Sequence, residues 1–291
     1  MTEQEMFEVT GMRAPEKETR QERRKKTKKP VLSFLLLGVI LAGCLFAEVI
    51  MTKDPTYLDL MNYTHAPDAE FFFGTDTLGR DIFSCIWYGG RISLSIGFFA
   101  TALSTVLAVV YGSASGIAPE WLDTLMMRFA EILLSVPSLL IVIFVQAVLG
   151  KPSVFSLAFA IGITSWCSIA KIIRTEVRRL RSSEYVIASK CMGGGFFHIL
   201  ICHLAPNFLS SIMFMVVMNI RSAIVSESTL SFMGMGLPVE VISWGSMLSL
   251  AEKALMAGAW WMILIPGAFL VTVLMCMTSI GNYFMNEFDR I

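Results

Sequence analysis

From Ile92 to Pro119 the chain carries no charged side chain, and that run excludes most soluble folds. A helix needs about 20 mostly apolar residues to cross a hydrocarbon core of about 30 Å. Five further stretches share this character. Val31–Met51 holds one acid, Glu48, near its far end; Met127–Leu149 holds Glu131 near one end and Pro137 inside. Val154–Ala170 stops at Lys171, a fifth run goes from about His203 to Ile224, and a sixth from about Ala254 to Phe284. With the second span at about Ile92–Ser115, the expected fold is an all-α polytopic membrane protein with six transmembrane helices. Composition agrees: 55% of the 291 residues are hydrophobic and 16% charged, against roughly 25% charged in soluble domains. Mean hydropathy is +0.66. Pro137 is expected to kink the third span, which membrane helices tolerate.

Charge is balanced overall but unevenly placed. Arg23–Lys29 form a basic run just before the first apolar stretch, interleaved upstream with Glu16, Glu18 and Glu22. Those acids and the adjoining membrane segment favour a solvated tail that sets topology over a nucleic-acid arm. Six crossings place both termini on one side, and basic residues assign that side to the cytoplasm. The segment after span four carries Lys171, Arg174, Arg178, Arg179, Arg181 and Lys190 against Glu176 and Glu184, and falls on the same side. The expected organisation is a cytoplasmic tail (1–30), a first helix (31–52), an external segment (53–91) and a core (92–291) with a cytoplasmic loop at 174–207.

Six cysteines are scattered without a C-x-x-C, which supports neither a disulfide framework nor a zinc site. Leu41-Ala42-Gly43-Cys44 resembles a lipoprotein cleavage box, but the apolar run continues to Met51, as expected of an uncleaved helix. His65, His198 and His203 lie in different segments and are read as solvated or structural; the nineteen methionines are read as gap-fillers.

The 174–207 loop is the part that points to function. Thr175–Cys191 has good helix formers and no proline, predicting about four helical turns ended by Gly193-Gly194-Gly195. Phe196–Leu204 then resumes an apolar pattern. A short rigid helix of this kind can seat in another protein's groove, or lie on lipid headgroups.

Glu184-Tyr185-Val186-Ile187-Ala188-Ser189, with Gly193 and then His203, Pro206 and Asn207, resembles the coupling loop of binding-protein-dependent ABC import permeases. Ala188, Gly193 and Pro206 match the general pattern, while Ile187, Ser189, His203 and Ala205 depart from it in the manner of the peptide/nickel branch. Gly74-Thr75-Asp76-Thr77-Leu78-Gly79-Arg80-Asp81, continuing to Arg91, is similar to the signature before the second span of that branch's C-type subunit. Leu230–Gly236 with Ser243-Trp244-Gly245 resembles its external loop. The resemblance runs from about residue 31 to the end. It implies a type I ABC importer permease in a bacterial plasma membrane, importing di- or oligopeptides, or nickel or a metal chelate. It also implies as partners a homologous second permease, two ATPases that bind ATP and Mg, and an external substrate-binding protein.

The chain has no G-x-x-x-x-G-K-[ST] loop, so ATP hydrolysis by that route belongs to other subunits and no catalytic residue or cofactor is expected here. For Gly74, Thr75, Asp76, Gly79, Arg80, Asp81 and Arg91, two readings stay open: an external gate or docking element, or a tight turn before a helix. Arg221, in the outer part of span five, is expected to face a pathway, to pair with Glu227, Glu252 or a partner subunit, or to snorkel. An ion-coupled secondary carrier is the rival class, but it calls for intramembrane acids and related halves, and spans two, four and six lack acids. A membrane scaffold is a third reading.

Overall fold

The computed structural model describes residues 30–255 and 258–288; the basic tail lies outside them apart from its last residue, as do the side chains of His203, Pro206 and Asn207. In chain order the helices are α1 Val31–Leu45, α2 Ala47–Ile50, α3 Ile82–Ile117, α4 Glu120–Ser135, α5 Ser138–Leu149 and α6 Val154–Leu180. They continue as α7 Glu184–Cys191, α8 Phe196–Ile199, α9 Ala205–Phe232, α10 Trp244–Leu255 and α11 Trp261–Phe288, with a π-helical turn at Leu200–Leu204 joining α8 to α9. Among the described residues the only extended pairing is one isolated bridge, Thr75 with Asp81.

The fold is all-α and polytopic. Among the described residues four helices, not the six expected, are long and apolar enough by themselves to cross a bilayer: α3, α6, the Ile212–Phe232 part of α9 and the Trp261–Asn286 part of α11. α4 and α5 together make a fifth candidate, bent by 90°. α1 is about 22 Å long at 1.5 Å per residue, and reaches crossing length only with α2, beyond the break at Phe46.

Several expected boundaries move. Ile82–Arg91 belongs to α3 rather than to an external 53–91 segment, because Asp81 is its N-cap and accepts the Ser84 N–H at 3.1 Å. Pro137 does not kink one span; it separates two helices. Proline lacks a donor and forces its predecessor out of the helical region, and Val136 is extended at ψ 133°. The fourth span is not short, since α6 runs on to Leu180. The single helix expected over Thr175–Cys191 is therefore two: the end of α6, a break at residues 181–183, and α7. At the break the Ser183 hydroxyl donates to the Leu180 carbonyl at 2.5 Å, a side chain competing for a helix acceptor. The fifth span continues beyond Ile224 to Phe232. The apolar run expected over Ala254–Phe284 divides between the end of α10 and α11.

α3 and α6 pack along most of their length through small residues. A Cβ on Gly112 would sit 2.5 Å from the Ala170 carbonyl oxygen, and one on Gly162 would sit 2.9 Å from that of Ala100. Close backbone approach is how membrane helices gain packing without a hydrophobic driving force. Gly112→Leu is expected to lower the thermal midpoint in detergent by about 2–12 °C. Overpacking costs about 1–3 kcal/mol and each kcal/mol moves a midpoint by roughly 2–4 °C. Gly38→Leu, where nothing lies within 4 Å, should leave it unchanged.

One apolar cluster lies at each end of the bundle. At one end Trp244 is fully buried with Ile82, Ile86 and Ile224, its indole N–H donating to the Ile86 carbonyl at 3.1 Å. At the other, Ile173 and Val177 of α6 meet Val186 of α7, Ile199 of α8, and Leu204.

Candidate functional site

At this second end α7 and α8 form a knob outside the candidate spans. The sequence places Glu184 through Ser189 on one short helix, and the structure splits them by face. Val186 and Ser189 are buried, whereas Glu184, Tyr185, Ile187 and Ala188 are exposed. Val186 and Ser189 are thus anchors rather than parts of a docking face. Ile187 is 49% exposed, Met192 82% and Ile201 65%. Gly193 ends the helix at φ 83°, a left-handed turn that favours glycine. His203 falls on the π-helical turn, and Pro206 and Asn207 open α9.

The base of the knob is clamped. Asp123, 2% exposed on the first turn of α4, accepts Arg174 Nε at 2.5 Å, Arg178 Nη2 at 2.7 Å and the Ser115 hydroxyl at 2.5 Å. A second Arg174 bond, from Nη2, completes a bidentate pair. Arg181 Nη1 donates to the Gly116 carbonyl at 3.1 Å. The ends of α3, α4 and α6 are therefore one block. The Arg128–Glu131 pair expected from helical spacing is present at 3.1 Å, and Lys171 joins it at 3.5 Å.

At the opposite end the signature residues are scaffold. Thr75, Asp76, Arg80 and Asp81 are all buried. Asp76 accepts the backbone N–H groups of Leu78 and Arg80 at 2.8 and 2.9 Å and pairs with Arg80 Nε at 2.7 Å. Gly74 and Gly79 take φ 74° and 73°, and a Cβ on Gly79 would overlap the Asp59 carbonyl at 1.7 Å. Arg91 donates to the carbonyls of Cys44 and Leu45 and to Glu48, fastening the end of α1 to α3. In the loop between, backbone N–H bonding from Phe71 holds the Asp68 carboxyl below its ordinary range. Arg80→Ala leaves Asp76 buried without its cation. It is expected to destabilise this element by about 3 kcal/mol or more, read as lost detergent-stable protein and faster proteolysis within residues 53–81.

Glu227 does not pair with Arg221. It is wholly buried and accepts four hydroxyls: Ser243 at 2.8 Å, Ser93 at 2.9 Å, Ser231 at 3.0 Å and Ser228 at 3.3 Å. Three of those serines in turn accept backbone N–H groups of the segment after α9: Trp244 on Ser93, Leu237 on Ser231 and Ser246 on Ser243. By taking these hydroxyl protons the carboxyl group leaves the serine oxygens free to accept, and so orients the bonds from Trp244 to Ser93 and from Leu237 to Ser231 that tie this segment to α3 and α9. Sequence reasoning placed Ser231 and Ser243 in a motif without seeing their bonds to Glu227, and it missed Asp123; a buried acid opposite Ser-rich or Arg-rich segments was the available signal.

Between the α4–α5 bend, α6 and α9 runs a groove of about 400 Å³ whose lining mixes polar side chains, Ser138, Thr164, Ser168, Asn219 and Ser222, with apolar ones such as Leu133, Ile141 and Met215. Asn219 is held by a bond to Ser104 at 2.6 Å. Arg221 faces away from it, toward α11. Among the described residues no group of three or more His, Cys, Asp or Glu side chains could hold a metal.

Apolar helices that span, a partly polar groove along one wall and a projecting knob at one end make this a multi-pass membrane protein built for transport. The chain belongs to the family of binding-protein-dependent transport system inner membrane components, whose match covers residues 105–286. It is 34% identical to the oligopeptide transport system permease protein OppC of Bacillus subtilis, over 91% of this chain and 86% of that one. It is 32% identical to the dipeptide transport system permease protein DppC of the same organism, over 89% and 79%. The oligopeptide permease OppC of Haemophilus influenzae is also 32% identical, over 89% and 82%.

Proposed function

We propose that the chain is one of two permease subunits of an ATP-driven importer of di- or oligopeptides, crossing a bacterial plasma membrane six times with both termini cytoplasmic. The knob is the observation that carries this reading. Ile187, Met192 and Ile201 are exposed apolar side chains outside the spans, which supports a protein cover, and the basic residues beside them support a cytoplasmic position. That cover is an ATPase subunit. When the ATPases close, α7 moves as a body, and Val186 passes the movement to Val177, Ile199 and Leu204. The partly polar groove between α5, α6 and α9 is this chain's half of the pathway, completed by the second permease and loaded by an external binding protein. Peptide cargo is supported by the names of the relatives.

The test is uptake in a deletion strain. Labelled dipeptide uptake should vanish on deletion and return with the intact chain, and the tagged chain should retain an ATPase on purification. Loss of nickel uptake alone would replace peptide with a metal or metal chelate as cargo. A chain that never retains an ATPase would point to the secondary carrier.

A further inference from the structure

We infer that Arg221 is an interfacial ion-pair residue, set to receive the carboxylate of an Asp or Glu on a transmembrane helix of the second permease subunit. This rests on the two-permease reading above and adds the surface and the chemistry by which the subunits join.

Arg221 stands near the middle of the Ile212–Phe232 span. Phe232 is eleven residues on, about 16 Å along the helix, farther than the side chain can snorkel to reach a headgroup. A guanidinium at this depth faces a cavity or a partner. Among the described residues it has neither an ion pair nor a bond at Nε, which is buried. Glu227, the nearest acid along α9, is committed to its serines.

What Arg221 faces is a groove of about 430 Å³ between α9 and α11, lined also by Thr278, Ser279 and Asn282. Its apolar lining is exposed at Val271 and Met275 of α11, and Val225, also exposed, stands one helical turn from Arg221 on α9. Apolar side chains around one cation fit a helix carrying a single acid. A peptide path fits the other groove better, where several hydroxyls and the Asn219 amide alternate with apolar side chains and no charge intrudes. Lipid tails offer the guanidinium no acceptor.

The experiment uses the whole complex in native membranes, with a benzophenone amino acid placed at Val225 or Met275. The expected photoproduct joins this chain to the second permease within one helical turn of an acidic residue. Arg221→Glu should lower recovery of that subunit at least tenfold while Arg221→Lys largely preserves it, and changing the identified acid to Lys should restore the Arg221→Glu variant. Crosslinks to lipid alone, or to a labelled peptide, would overturn the inference while leaving an importer that still takes up dipeptide intact. A purified complex with ATPases but no second permease would overturn both.

Discussion

Gly193→Val is expected to reduce peptide uptake at least tenfold while the chain still inserts in the membrane, with ATP hydrolysis in the complex no longer tied to transport. The cause is conformational. A Cβ at Gly193 would meet nothing within 4 Å, so crowding is excluded. The φ of 83°, however, costs a non-glycine residue about 1–2 kcal/mol, more when the side chain is β-branched. The turn between α7 and α8 would open to relieve that strain, and the exposed face would shift against its partner. Gly193→Asn tolerates the left-handed region and should keep more than half of the uptake. Tyr185→Asp places a charge on the same face and should also abolish transport. Uptake at the unmodified rate in both the Val and the Asp variants would remove the coupling role.

Glu227→Ala should be as damaging at the other end, by a different route. It strands the donors of Ser93, Ser231 and Ser243, which are buried. Each orphaned buried polar group costs about 1–3 kcal/mol, so about 3 kcal/mol or more is lost. At roughly 2–4 °C per kcal/mol the thermal midpoint should drop by about 6–12 °C. Proteolysis should speed up within residues 233–243, because the bonds through Ser93, Ser231 and Ser243 hold that segment down. Glu227→Gln should fall between, since its amide nitrogen faces hydroxyls that need an acceptor. A midpoint unchanged in the Ala variant would show that the apolar packing of Trp244 alone seats the cap.

The sequence discloses the features carried by runs and local patterns. Long uncharged stretches mark the spans, and Gly193 marks the end of a short helix. What it hides is pairing over distance. Asp123 lies 51 residues before Arg174, outside the run taken as the third span, and nothing local marks it as a clamp. Ser93, Glu227 and Ser243 meet only once α3, α9 and α10 are packed, and serine is too common to signal a site. Pro137 was legible as a disturbance, but its neighbours decide between a gentle kink and a right-angle corner. The break at Ser182-Ser183 was illegible for a similar reason: helix propensity runs through it, and a hydroxyl bond to Leu180 ends the helix.

The shared carboxylate of Asp123 has a mechanical consequence. A lever delivers its stroke only if the fulcrum does not yield, and long arginine side chains left loose would absorb a small push as rotamer changes. Three helix ends sharing one buried anion leave little such slack. A displacement at α7 therefore arrives in the bilayer as tilt of whole helices instead of being spent on bending at their tips.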